Sequence, residues 1–331
     1  VPPPAGTALD QEEIPMKPII AAVLLLLAAG PVCAQGWPTK PIRIVVPFPP
    51  GAGPDSIARL MAAPMQEVLG QPWVVENRSG AQGTIATTEV ARASPDGYTL
   101  MIGTNTTHAA NVGLFKKLAY DPLKDFAYVA RLAQSALILS VRPDFPATTL
   151  REFVAIARAK KGELTAGYGS GGAQVSLGVL QSLAGITTTQ VPYKGIPLAA
   201  ADVLGGQIAA TFTDFSVGLP QIRAGKLRGL GVTSRTRSPQ APDIPPIGDE
   251  LPGFEVTIWW GLMAPAGTPR DIVNRLSAAA IKVLARDDVR AKLTPLGVDV
   301  ATLASEEFTR FVEAEVPRWV KQIREAGISP E

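Results

Sequence analysis

Cysteine and histidine are nearly missing from this chain. Its 331 residues hold one of each, Cys33 and His108. A single cysteine excludes a disulfide within the chain, and one histidine leaves a conventional zinc site to be assembled from carboxylates plus His108. Charge is close to balanced: 31 Lys and Arg stand against 29 Asp and Glu, a net of +2, with no run of basic residues. That balance carries no nucleic-acid footprint. Long apolar runs are also lacking. The stretch from Ile19 to Ala29 is shorter than the roughly 20 residues a membrane helix requires.

That stretch has another meaning. Lys17 precedes it and Gly30-Pro31-Val32-Cys33-Ala34 closes it, the basic, apolar and small-residue order of a secretory signal peptide cleaved after Ala34. A start at Met16 makes residues 1–15 an upstream extension and 16–34 the signal, and sends the mature chain to the periplasm. Val32 is larger than the residue a lipoprotein site prefers, so Cys33 leaves with the signal. Removing Lys17 with Asp10, Glu12 and Glu13 leaves 30 basic against 26 acidic side chains, a net of +4.

The mature part is organised around Ile44 to Arg59, IVVPFPPGAGPDSIAR. A β-branched run breaks at Pro47, passes a Pro-Pro-Gly-Ala-Gly turn and re-enters an apolar helical pattern at Ile57, Leu60 and Met61. A helix opening from a glycine turn offers unpaired N–H groups and the positive end of its dipole to an anion. The rhythm recurs. Asn77 to Gly83 follows a strand at Trp73–Val75, and Gly103-Thr104-Asn105 follows one at Tyr98–Ile102. Further on, Gly169 to Gly172 follows Leu164–Tyr168, Pro192 to Gly195 follows Thr188–Val191, and Thr213-Asp214-Phe215 follows Ile208–Phe212. Strand, turn and helix in succession predict an α/β chain with two parallel sheets, hence two lobes with a cleft at the strand ends.

Near the end, the extended segment from Phe254 to Ala264, with Trp259-Trp260-Gly261, carries the chain back to the first lobe. Thr268 is the expected N-cap of the next helix, with Pro269 at its first position. A last helix from Ser305 sets Phe308, Val312, Val316, Trp319 and Ile323 on one face, and Pro317 is expected to kink it.

Enzyme readings fail on spacing. Five residues past Gly51 stands Ser56, preceded by Asp55, so a phosphate-binding Gly-Lys-Ser/Thr is absent, and the third glycine of a dinucleotide fingerprint is Ser56 too. Ser170 lies in Tyr168-Gly169-Ser170-Gly171-Gly172, one residue short of a nucleophile elbow, and the single histidine comes well before it. A serine hydrolase using Ser170 is the remaining enzyme alternative.

What is left is a set of backbone donors with small hydroxyl and amide side chains: Gly51, Ala52, Gly80, Ala81, Thr104 and Asn105 from one lobe, Ser170, Gly171 and Gly172 from the other. They suit a carboxylate held without chemistry. Asp55 either caps N–H groups or meets a ligand ammonium. His108 is either a satisfied polar residue or a contact, and Tyr193 and Trp259 either cover the ligand or pack the hinge.

Six segments carry a family resemblance: WPTKPIRIVVPFPPGAGPDSIAR (Trp37 to Arg59), ENRSGAQG (Glu76 to Gly83), ASPDGYTLMIGT (Ala93 to Thr104), YGSGG (Tyr168 to Gly172), VPYKG (Val191 to Gly195) and WWGLMAPAGTP (Trp259 to Pro269). With them the mature chain resembles the periplasmic receptors of tripartite tricarboxylate transporters, the Bug-type receptors. The resemblance implies a two-lobed periplasmic-binding-protein fold of type II, a Venus flytrap with two crossovers, lobe 1 spanning 35–138 and 262–331 and lobe 2 spanning 139–261. It implies no cofactor and no metal, a monomer, a small carboxylate or amino-acid-like ligand, and a two-subunit membrane transporter as partner, or else a sensor kinase to which ligand is presented. The carried-over ligand contacts are Gly51, Ala52, Asp55, Thr104, Asn105, Ser170, Gly171, Tyr193 and Asp214; Phe48, Gly80, Ala81, His108, Gly172 and Trp259 complete the candidate set. Pro54 and Ala86 stand where the family commonly has glycine, and Ser176 and Gln190 where it commonly has histidine.

Overall fold

The computed structural model describes residues 36–331 together with Val1, Pro2 and Gly6; the expected signal peptide and start lie outside the described residues. The fold belongs to the second of two compact units, Lys40–Glu331; the first is Val1–Thr39.

In chain order, β1 (Ile42–Val46), α1 (Gly53–Leu69), β2 (Trp73–Asn77), α2 (Thr84–Ala91), β3 (Thr99–Thr104), α3 (Asn111–Leu114) and β4 (Phe126–Ser135) open the first layer. There follow β5 (Leu137–Val141), α4 (Leu150–Lys160), β6 (Gly162–Tyr168), α5 (Gly171–Ala184), β7 (Thr188–Pro192), α6 (Ile196–Leu204), β8 (Ala210–Asp214), α7 (Phe215–Arg223) and β9 (Arg228–Val232). The chain closes with β10 (Ile258–Pro265), α8 (Arg270–Leu284), α9 (Asp287–Leu293), β11 (Asp299–Leu303) and α10 (Ser305–Glu325). The strands form a six-stranded sheet, ordered β11-β4-β10-β3-β1-β2, and a five-stranded sheet, ordered β7-β6-β8-β5-β9.

Both sheets are mixed, which corrects the expectation of parallel ones. Parallel pairing holds where strand, glycine turn and helix alternate: β1 with β2 and β3, and β6 with β7 and β8. The strands next to the crossovers run the other way. β10 is antiparallel to β3 and β4, and β5 to β8 and β9. The first link is Ala136, between β4 and β5, and the return is complete by Ile258, against boundaries of 138 and 261 read from the sequence.

Thr233, fully buried, ties the two crossings together. Its hydroxyl accepts from the Leu137 N–H at 2.8 Å and donates to the Val256 carbonyl at 2.7 Å. Its N–H donates to the Leu137 carbonyl at 2.9 Å, and its carbonyl accepts from the Val256 N–H at 3.0 Å.

Local sequence rules place the helices. On α1, Ile57, Met61 and Met65 are wholly buried, one face at steps of four. Thr149 and Glu152 close a capping box at the start of α4. Thr268 is not the N-cap of α8. The helix starts one residue later, with Pro269 as N-cap, because the Thr268 hydroxyl donates back to the Pro265 carbonyl at 2.7 Å. α10 is helical on both sides of Pro317. Its inner face carries Phe308, Val312, Trp319 and Ile323, joined by Glu315 rather than Val316, which is half-buried.

Candidate ligand-binding site

The glycine turns meet between the two sheets. A narrow cavity lies there, with about 20 Å³ open to the centre of a water-sized sphere, room for about one water molecule in this arrangement of the two sheets. Phe48, Ala52 and Pro54 line it from the β1–α1 turn, and Thr104, Asn105 and Thr106 from the end of β3. From the other sheet come Gly169 and Ser170 after β6, Ile196 at the start of α6, and Asp214 at the end of β8. Ile258 and Trp260 of the returning strand complete the wall.

α1 begins at this cavity with Ala52 as N-cap, Gly53 and Pro54 next, and no side-chain cap among the described residues. Proline in that first turn gives up an N–H that has no intrahelical partner in any case. A Cβ added at Gly53 would lie 2.7 Å from Trp260 Cζ2 and 3.4 Å from Asp214 Oδ2, so only glycine admits the indole this close. Asn105 is 2 % exposed, and its amide nitrogen has no hydrogen-bond partner among the described residues. It heads a π-helical turn, Thr106–Ala110. Opposite, Ser170 caps α5 by accepting the Ala173 N–H at 3.2 Å, leaving its own O–H to donate.

Asp214 behaves differently from Ser170. It occupies the N-cap position of α7 yet makes no capping bond there among the described residues. Its carboxylate instead accepts the Gly53 N–H at 3.2 Å, reaching from one sheet to the first turn of the helix on the other. Burial pushes its pKa up to about 6, against the opposing pull of the Gly53 N–H.

Further hydrogen bonds cross between the layers: Gln82 Nε2 donates to Gln174 Oε1 at 2.7 Å, the Gly172 N–H to Thr106 Oγ1 at 3.4 Å, and Ser182 Oγ to the Glu325 carbonyl at 3.5 Å. Gln82 reaches Gln174 from a turn where both Ala81 (φ 44) and Gln82 (φ 50) are left-handed, a conformation that non-glycine residues rarely adopt.

Several expected contacts sit elsewhere. Asp55 is saturated within its own lobe, accepting the Gly51 N–H, Asn77 Nδ2 and Arg59 Nε, each at 2.9 Å. It fixes the turn, and it takes up the Gly51 N–H in doing so. Gly80 and Ala81 belong to the Gln82 turn and do not line the cavity. Gly171 packs its backbone against Thr106, Ala110 and Leu114, and Gly172 against Ile258 and Asn105; they let the layers approach. Tyr193 turns its hydroxyl onto Asp202 Oδ2 at 2.6 Å, and burial, then that carboxylate, pushes its pKa up to about 12.

His108 is wholly buried, 4.6 Å edge-on from Phe126, with Nδ1 2.8 Å from Thr107 Oγ1. Burial lowers its pKa to about 3. Trp259 is interior too, its indole N–H donating to Glu315 Oε2 at 2.9 Å. Neighbouring residues on a strand face opposite ways, so Trp260, not Trp259, reaches the cavity. The adjacent pair in the sequence announced one tryptophan on each face without saying which.

A family model described as the tripartite tricarboxylate transporter family receptor, TctC, matches residues 57–328. The chain belongs to the TctC family. Protein BugT of Bordetella pertussis is 32% identical over 320 residues, 94% of this chain and 98% of BugT. Among solved structures, R. palustris Rpa4515 with adipate is 36% identical at a TM-score of 0.87, covering 89% of this chain and all of that one. MatC from Rhodopseudomonas palustris with bound malate is 37% identical at a TM-score of 0.82, covering 87% of this chain and 100% of MatC. The two sheets and two crossovers are thus the two-lobed periplasmic-binding-protein fold of TctC receptors, and the chain is a solute receptor rather than an enzyme. Consistently, Ser170 is a helix cap, whereas His108 is sealed in the other layer. Among the described residues there is no group of three or more His, Cys, Asp or Glu fit to hold a metal. Nor is any described helix long and apolar enough to cross a membrane.

Proposed function

We propose that this TctC receptor is exported by its N-terminal signal, binds a small organic carboxylate between its lobes, and hands it to a membrane transporter of the tripartite tricarboxylate type. The observation that carries the reading is the unpartnered Asn105 amide nitrogen on a cavity wall formed by both sheets. Together with the Ser170 hydroxyl, it offers an anion donors from both lobes. A ligand touching both lobes favours the closed arrangement, because only affinity that differs between two states shifts their populations. The relatives solved with adipate and malate hold ligands of this class.

Thermal-shift measurements against mono-, di- and tricarboxylates test it. At least one acid should raise the melting temperature of the wild type, and Asn105→Ala should reduce that shift. Failure of every acid at millimolar concentration overturns the reading.

A further inference from the structure

The charge count around the cavity points beyond the class of carboxylates. Among its described lining residues none is Lys, Arg or His, and one is ionisable, Asp214. Asp214 is 5 % exposed, does not cap its own helix, and turns into the cleft to take the Gly53 N–H. The anion donors and this acceptor therefore share one small cavity, Asn105 Nδ2 and Ser170 O–H on its wall and the Asp214 carboxylate seated on the first turn of α1. A ligand with a carboxylate at each end would set a second anion against a buried one with no cation to offset either, the arrangement that low-dielectric surroundings penalise most.

Resting on the receptor reading above, we propose that Asp214 selects carboxylates whose second polar group is a hydrogen-bond donor, an ammonium or a hydroxyl, and disfavours dicarboxylates. The donor replaces or joins the Gly53 N–H at the Asp214 carboxylate, while the ligand carboxylate takes the free amide of Asn105. A buried acceptor left facing a group that cannot donate is the usual basis of such discrimination.

The test uses the full chain and four acids of one chain length: 4-aminobutyrate, 4-hydroxybutyrate, butyrate and succinate, with dissociation constants measured by calorimetry at neutral pH and the set repeated at three, five and six carbons. The wild type should bind the amino or hydroxy acid at least tenfold more tightly than both the unadorned acid and the diacid of equal length. In Asp214→Asn, which keeps shape and removes charge, the penalty on the diacid should shrink at least tenfold. The wild-type ranking decides by itself should the variant fail to fold. A diacid bound as tightly as the donor-bearing acids in the wild type overturns the role of Asp214 and leaves the receptor reading standing. No binding by any acid of any length overturns both.

Discussion

Thr233 grips Leu137 from two directions, its N–H donating to the Leu137 carbonyl at 2.9 Å and its hydroxyl accepting the Leu137 N–H at 2.8 Å. Leu137 starts the strand that enters the second sheet. The same hydroxyl donates to Val256, just before the strand that leaves it. One side chain thus pins both crossings at the same level.

Thr233→Val keeps the shape and strands the buried Leu137 N–H beside a methyl group. An unsatisfied buried donor costs about 1–3 kcal/mol, and urea unfolding should show a loss of about 2 kcal/mol. Thr233→Ser keeps the hydroxyl and should lose less than half as much. A loss in Thr233→Ser equal to or larger than that in Thr233→Val would show that the hydroxyl is not what holds the crossings.

Glu315 is the second buried linchpin. One of its oxygens accepts indole N–H groups from Trp259 and Trp319, each at 2.9 Å, and Arg318 adds bonds at 2.6 and 2.8 Å. Glu315→Ala orphans two buried indoles, and stability should fall by about 3 kcal/mol. Glu315→Gln, which retains a carbonyl acceptor, should fall by less. Denaturant midpoints of the three proteins decide the order.

How far the sequence can be read depends on which physical rule is at work. The helical run through Ile57 and Met61 of α1 and the glycine turns after β1, β2, β3, β6 and β7 follow from local periodicity and backbone geometry, and were legible. The mixed sheets were not, since strand direction is set by which strands the crossings bring together. Phe48, Ala52, Thr104, Asn105, Ser170 and Asp214 meet at the cavity, whereas Asp55, His108, Tyr193 and Trp259 do not. For these last, a polar or aromatic residue near a strand end looks the same in the chain whether its partner is a ligand or another side chain. Asp202 for Tyr193 and Glu315 for Trp259 are separated from them along the chain and become visible only in three dimensions.

His108 makes stability sensitive to acid. Its folded pKa is depressed to about 3 from 6.5, so the stabilisation is complete above 6.5 and is lost as pH falls toward 3. The expected loss is about 1.4 kcal/mol per pH unit below 6.5, or about 2 kcal/mol by pH 5. His108→Gln should flatten that slope. An unchanged pH profile in the variant would assign the acid sensitivity to other groups.

Asp214 works in the opposite sense. Its folded pKa is raised to about 6 from 3.8, so its contribution to stability is fully present below 3.8 and is lost as pH rises through 6, about 3 kcal/mol in all. Ligand-free Asp214→Asn should therefore be more stable than the wild type at pH 8, with the gap closing by pH 4. Equal stability of the two proteins at pH 8 would mean that the carboxylate is solvated after all. A more stable but less selective variant is what a charge kept for binding would leave behind.

Trp260 stands where that charge sits. Its ring lies against the Gly53 backbone beside the Asp214 carboxylate, while Trp259 and Trp319 are tethered to Glu315 in the interior. Indole fluorescence responds to charge and polarity at the ring, so occupancy of the cleft is written into the emission of one tryptophan of five, the other four being Trp37, Trp73 and the two tethered to Glu315. The receptor carries its own optical gauge of filling, with no label attached.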